Sequence, residues 1–502
     1  MLDTLMNYKP IILVGLFATI IAGIMINRMH LAVILGGMLI LIVIMALMMR
    51  TGDFPIGPYL LAVSFAAIST PIFRGLTITD VIVIILVMMN LNHFLATIPK
   101  KLLSDPIIFG VMLYILSAII GDFLNGFYSG LELYIDVIRW SLNLLYYLYA
   151  RSLFIGGNRR LLNAMALGFA TVVLLSTIVS LYEFNVGKTY DFRALIQPQS
   201  TYAFVRNQLG VYDGAYIRPS GLFNNSNNTA MQMAFLLPWC IAGLMESKEN
   251  LRIKLFYLIS MFAVLFSSLL TISRGGILTM ICMIIAFFSL IRQKRKFISW
   301  GILIIMVLLI LSNTGLIQMD ITQNIMNRFN KVGSDDFNTF GRMELNELSL
   351  KIWLENPFFG VGMGQYDERL YARPDLSPRM RMEMDLKGKG IANHNSYTQF
   401  LAESGLIGTL GILFALIGGL NYTLHILKLR QRYPEIYLWG VALLVSSLAI
   451  LVGSLFSDAI PQRNVWLLFG ISSGLSASFS KKERTLLANE LQTPMTQEPR
   501  TG

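Results

Sequence analysis

Apolar residues arrive in this chain as uninterrupted runs of about 17–22, the length at which an α-helix crosses the hydrocarbon core of a bilayer. Of 502 residues, 55% are hydrophobic and only 14% charged, and the mean hydropathy is +0.61. A soluble protein hiding that much apolar surface would need far more charge to cover its outside. The runs lack the alternation of a barrel strand, and backbone in lipid must satisfy its own hydrogen bonds, so they are helices. About fourteen candidate spans begin near Pro10, Leu31, Tyr59, Thr79, Ile107, Glu132, Leu161, Thr229, Lys254, Gly276, Ile298, Ser396, Ile436 and Val465. The first has no cleavage site after it and is expected to be a retained span. The expected fold is therefore an all-α polytopic membrane protein of about 12–14 transmembrane helices.

The net charge of +11 follows from topology rather than from a nucleic-acid partner. Loops after even-numbered spans carry Lys100 and Lys101, Arg159 and Arg160, Lys248, Arg252 and Lys254, Arg292 to Lys296, and Lys428, Arg430 and Arg432. Short loops after odd-numbered spans hold at most one basic residue each, such as Arg28, Arg74, Arg274 and Arg463. Positive loops stay on the cytoplasmic side, so both termini are expected there. The division expected is 1–184 for the N-terminal helices, 185–228 for a first outer loop, 229–312 for central helices, 313–395 for a large outer loop carrying short helices, 396–480 for C-terminal helices and 481–502 for a cytoplasmic tail. Within the large loop an amphipathic helix is predicted from Arg342 to Glu355, with Glu347, Lys351 and Glu355 in an i, i+4 ladder and a stop at Asn356-Pro357. Cys240 and Cys282 lie inside apolar runs, which argues against a disulfide framework or a cysteine metal site.

Four polar pieces fall on the outer side of this topology: Arg218 to Asn225, Ser273-Arg274-Gly275-Gly276, Gly341-Arg342, and Asn393-His394-Asn395-Ser396 followed by Glu403 to Gly408. Arg274 is the most informative. It stands between the apolar runs Phe266–Ile272 and Ile277–Phe288 with no loop to solvate it, so it needs a counter-charge or an anionic ligand. A guanidinium suits phosphate because its planar fork makes two hydrogen bonds and keeps its charge. Alone, Arg274 could equally mark a helix end. Arg218 alone would be solvated surface, and Arg342 has a bland reading as helix surface charge. The Pro-Ser-Gly turn beside Arg218 and the Asn run after it expose backbone N–H groups at a helix start, which favours an anion there.

His394 is one of four histidines. An imidazole at the membrane mouth, between Asn393 and Asn395, is a natural base for a hydroxyl, although a lone histidine would more simply be a cap. His30 and His425 flank spans, and His93 lies in an apolar run where packing or pairing explains it. Asp136 and Arg139 are spaced to pair with each other. Asp122, Glu183 and Asp458, near span ends, are the kind of group a transporter or flippase would use. The chain has no Walker-type phosphate loop, no His-Glu-x-x-His and no Asp-x-Asp pair, and no metal is expected.

The order Arg-x-x-Gly-x-Phe-x-Asn (Arg218 to Asn225), Ser-Arg-Gly (Ser273 to Gly275), Gly341-Arg342, Pro-x-x-Gly-x-Gly within Pro357 to Gly364, His394 to Tyr397 and Glu-x-Gly-x-x-Gly (Glu403 to Gly408) resembles the O-antigen ligase/polymerase family. The resemblance implies a membrane-embedded, GT-C-like glycosyltransferase fold. It also implies transfer of a glycan en bloc from undecaprenyl pyrophosphate to an acceptor hydroxyl in the periplasm, with no cofactor and no metal. A ligase uses lipid A–core as acceptor and a polymerase another carrier-linked glycan; a protein O-oligosaccharyltransferase is close to both. By carry-over, Arg218 and Arg274 would grip the pyrophosphate and His394 would activate the hydroxyl, with Arg342, Asn393, Asn395, Tyr397 and Glu403 in support. The implied location is the bacterial inner membrane, with the site facing the periplasm.

Overall fold

A computed structural model describes residues 56–67, 71–73, 76–126, 131–157, 159–186, 218–223, 225–247, 250–271, 273–291, 337–386, 393–457 and 459–492. In chain order they form α1 (Ile56–Ser64), a short antiparallel pair β1 (Pro71–Phe73) and β2 (Leu76–Thr77), α2 (Ile78–Met89), α3 (Leu91–Thr97), α4 (Pro106–Leu124), α5 (Leu131–Phe154), α6 (Arg159–Val186), α7 (Ser226–Glu246), α8 (Leu251–Leu270) and α9 (Arg274–Leu290). Then follow α10 (Phe337–Glu355), α11 (Tyr366–Ala372), α12 (Pro378–Leu386), α13 (Ser396–Lys428), α14 (Tyr437–Gly453) and α15 (Arg463–Gln492). The protein is an all-α polytopic membrane protein.

Six described helices, α4, α6, α7, α8, α13 and α14, are long and apolar enough to cross a bilayer. They begin close to six of the starts read from hydropathy. The α2–α3 pair qualifies only as one unit bent by 88°. Near Tyr59, Glu132, Gly276 and Val465 helices also begin, but none of these is by itself both long and apolar enough to cross a bilayer. α1 has nine residues, too short to span, and α9 has seventeen. α5 is long, but Glu132, Asp136, Arg139 and Arg151 lower its apolarity. The helix containing Val465 begins at Arg463 and runs past Lys481 to Gln492. The starts at Pro10, Leu31 and Ile298 lie outside the described residues.

The chain divides into two compact units, each discontinuous in sequence: Met1–Leu86 with Arg160–Asp336, and Val87–Arg159 with Phe337–Gly502. In the first, α7 packs against α8 and α9. Gly276 of α9 lies directly on Ala230 of α7, and Gly243 of α7 lies on the Tyr257 ring of α8. In the second, α4 packs along α13 and α5 along α15. Gly110 and Gly411 face each other across the first of these contacts, and Gly470 and Gly474 let α15 approach Tyr147, Ala150 and Arg151 across the other. Lipid tails are as apolar as leucine, so close backbone approach at small residues is what holds membrane helices together. α10, α11 and α12 form a cap on the second unit with its own apolar centre, including Leu345, Leu348, Ile352, Tyr366, Leu370 and Met384.

Candidate functional site

Arg218 stands at the start of the first polar piece, half-buried in the first unit. Its Nε donates to the Thr271 carbonyl at 2.8 Å and its Nη2 to Asn227 Oδ1 at 2.9 Å. The Ser273 hydroxyl donates to that same Asn227 oxygen at 3.0 Å. Ser273 is also the N-cap of α9, accepting from the Gly276 N–H, and Arg274 is the first residue of that helix. Asn225 caps α7 in the same way, through the Asn227 N–H at 2.8 Å. One asparagine thus ties Arg218 to the start of the helix that carries Arg274, where the starts of α7 and α9 lie together. The Gly276–Ala230 contact sets that distance: a methyl group at position 276 would overlap the Ala230 side chain.

Behind Arg218, the turn Ser220-Gly221 is held by Glu183, a fully buried carboxylate near the end of α6. It accepts from Ser220 N at 2.7 Å, Ser220 Oγ at 2.7 Å and Gly221 N at 2.8 Å. Thr229 Oγ1 donates to the Ser220 carbonyl, closing the turn onto α7. A buried charge persists only when its lone pairs are filled, and three charge-assisted bonds do that here. By its place near a span end Glu183 falls among groups suited to ion transport; its carboxylate is instead committed to the turn that leads from Arg218 to α7. Its 37-residue separation from Ser220 left no local signal in the sequence.

The second unit holds the remaining pieces. The Gly-rich stretch after α10 pairs by backbone with a break in α13: Val361 N to Ala402 O at 2.9 Å, Gly362 N to Glu403 O at 2.9 Å, Leu406 N to Pro357 O at 2.8 Å and Ile407 N to Phe358 O at 3.1 Å. Gly405 breaks α13 with φ 62° and ψ −164°. A side chain there would run into the Phe358 carbonyl, and one at Gly360 (φ 71°) would run into Glu403 and Ser404. A break in a membrane helix frees backbone groups that must find partners. The Pro-x-x-Gly-x-Gly and Glu-x-Gly-x-x-Gly motifs supply those partners to each other. The Glu403 side chain faces Tyr114 Oη at 3.4 Å and Gln399 Nε2 at 3.0 Å.

His394 precedes α13 with φ 60°, the one non-glycine residue of positive φ among the described residues. Non-glycine residues hold this left-handed conformation only where their surroundings impose it, and such positions concentrate at functional sites. Both neighbours are fixed. Asn393 is fully buried, donating through Nδ2 to Ser349 Oγ and Thr398 Oγ1, each at 2.9 Å. Asn395 caps α13 through Tyr397 N at 3.0 Å and Thr398 N at 3.4 Å. Tyr397 Oη donates to the Leu451 carbonyl at 3.0 Å, which secures the first turn against α14. Asn393, Asn395 and Tyr397 hold the backbone on which His394 sits. Arg342 lies half-buried on α10.

The other polar residues have local explanations. Asp136 and Arg139 pair at 2.7 Å. His93 Nε2 lies 3.1 Å from the Ser152 carbonyl and His425 Nδ1 3.0 Å from Ser476 Oγ. Asp122 is buried against Gly362, and its oxygens make no hydrogen bond among the described residues. His30 and Asp458 lie outside those residues. On α10 the predicted ladder forms in part: Lys351 pairs with Glu347 at 2.8 Å, but Glu355 turns to Arg373 at 2.7 Å. Arg373 and Lys351 both reach Asp375, at 2.8 and 3.0 Å, and pull its carboxyl down to about 2. The helix also begins earlier than Arg342, at Phe337.

Residues 256–413 match the family described as O-Antigen ligase. The matched stretch contains Arg274, Arg342, His394 and Glu403 and begins after Arg218. It supports the O-antigen ligase/polymerase family that the motifs resemble. No curated protein matches the chain.

Proposed function

We propose that this chain, with its O-antigen ligase-family domain, is an O-antigen ligase that moves a glycan from undecaprenyl pyrophosphate to a hydroxyl of lipid A–core on the periplasmic face of the inner membrane. The observation that carries this reading is Asn227, which ties Arg218 to the N-cap of the helix bearing Arg274. Two guanidinium-bearing segments and two helix N-termini then offer cationic forks and N–H dipoles to one anion. Pyrophosphate is already a good leaving group, so stabilising the charge that develops as its bond to the anomeric carbon breaks is the main task. In this reading Arg218 and Arg274 do that. His394 takes the proton from the acceptor hydroxyl as its oxygen forms the new glycosidic bond, and the carrier leaves as undecaprenyl pyrophosphate. Attack opposite the leaving group inverts the anomeric centre.

Deleting the gene and running extracted lipopolysaccharide on a gel tests the reading. A ligase leaves bare core with glycan stranded on the carrier. Core bearing a single repeat would make the enzyme a polymerase, and unchanged lipopolysaccharide would remove both.

A further inference from the structure

α10 buries one face in the cap, through Leu345, Leu348 and Ile352, yet its opposite face is also apolar. Met343, Leu350 and Leu354 are 67%, 40% and 66% exposed, and their spacing places them in one narrow stripe. Phe358, in the turn just beyond the helix, extends it at 63% exposed. Large side chains in a row open to water mark a binding surface rather than ordinary surface variation.

The stripe leads somewhere definite. Through Leu406 N to Pro357 O and Ile407 N to Phe358 O, its lower end is joined to α13. From Leu406 onward that spanning helix shows an exposed apolar face, with Leu410, Phe414 and Ile417, of the kind that meets lipid. The end of α4 arrives at the same level. Gly121 lies on Phe359 and Gly360, Asn125 Nδ2 donates to the Gly360 carbonyl at 3.1 Å, and Phe123 and Leu124 beside them are exposed. Of two helices long and apolar enough to span, one ends and the other breaks next to Phe358, which is where a hydrocarbon boundary would fall. The half-buried Trp353, its Nε1 donating to the Pro357 carbonyl at 3.0 Å, is the aromatic type that populates this boundary. The flank of α10 is charged, with Lys351, Glu347 and Glu355 in ion pairs.

We infer that α10 lies in the bilayer surface, with Met343, Leu350, Leu354 and Phe358 sunk among headgroups and upper acyl chains and its ion-paired flank in water. This is how an amphipathic helix with a polar face anchors at an interface. The stripe continues the lipid-facing surface of α13, so the occupant is lipid. The cap, whose Ser349 receives the Asn393 side chain next to His394, is then held at the membrane plane from which lipid-borne substrates arrive. The inference stands apart from the transferase reading and fails separately from it.

The test uses full-length protein with Cys240 and Cys282 replaced by alanine, reconstituted in nanodiscs of phosphatidylethanolamine and phosphatidylglycerol. Spin labels are placed singly at Leu354→Cys and Met343→Cys, with Leu410→Cys as lipid reference and Glu368→Cys, exposed on α11, as aqueous reference. Labels at 343 and 354 are expected to collide more with oxygen than with a water-soluble nickel chelate, as at position 410. Nickel collisions matching those at 368 would overturn the proposal. So would protection from both reagents with spin–spin broadening between copies, which would make the stripe a protein interface. Two label sites keep the reading open should one variant fail to fold.

Discussion

Arg218 is held to Asn227 by a 2.9 Å hydrogen bond, on the same amide oxygen that receives Ser273 at 3.0 Å. Asn227→Ala removes that acceptor from both, freeing Arg218 on one side and the N-cap beside Arg274 on the other. The expected loss in kcat/KM for glycan transfer is about 10- to 100-fold, the size of one hydrogen bond to a charged group. Asn227→Asp, which keeps the oxygen, should retain more activity. Equal loss in both would place the role of Asn227 elsewhere.

Glu183 answers three donors with one carboxylate. Glu183→Ala leaves all three buried and unmet, at roughly 1–3 kcal/mol each before relaxation. Monodisperse protein in detergent extracts should fall sharply. Glu183→Gln keeps one oxygen and should melt between the two. A transport role would instead leave folding intact in the alanine variant.

Gly405 and Gly126 share nearly the same φ, 62° and 63°, but only Gly405 is crowded: nothing lies within 4 Å of a methyl group built at Gly126. Alanine at a positive φ costs on the order of 1 kcal/mol, and more at Gly405, whose ψ of −164° lies in the region that essentially only glycine adopts. Gly405→Ala additionally drives a methyl into the Phe358 carbonyl. Its melting temperature should drop well below that of Gly126→Ala. Equal drops would mean that the two backbones can part at no cost.

Asp375, held near 2 by Arg373 and then Lys351, is depressed below the ordinary aspartate value of about 3.9. A carboxyl lowered on folding adds stability that is complete above the unfolded value and is lost as pH falls through the folded one. The cap's ion pairs should therefore persist to about pH 4 and weaken toward pH 2. At 35% side-chain exposure the effect is screened and small. Arg373→Gln should move the acid melting of the cap to higher pH, and added salt should shrink the difference; an unchanged acid limb would contradict this.

Much of this was legible in the sequence, for identifiable reasons. Six spans start close to where hydropathy puts them, because a helix in lipid has no other way to satisfy its backbone. Arg274 stood out because charge between two apolar runs is conspicuous. What stayed hidden needed contacts between distant segments. Glu183 looked like an ion-pathway residue until its three partners were in view, and Asn227 was one of several asparagines. Gly360 and Gly405 read as separate motifs, although each makes room for the other's backbone. The left-handed φ of His394 has no signature in the residue itself. The two-unit division, interleaved along the chain, left no trace in hydropathy, which reports burial in lipid and not which helices pack together.

His394 is the centre of the proposed chemistry, and its φ of 60° shapes the choice of variant. Asparagine tolerates the left-handed region, so His394→Asn keeps the backbone and removes the imidazole. The decisive measurement is glycan transfer by purified protein in proteoliposomes, supplied with undecaprenyl pyrophosphate-linked glycan and lipid A–core, with wild type, His394→Asn and His425→Asn compared at matched melting temperatures. The account predicts that the wild type and the His425 variant release undecaprenyl pyrophosphate in step with product while the His394 variant forms none. Wild-type turnover in a folded His394→Asn protein would contradict it.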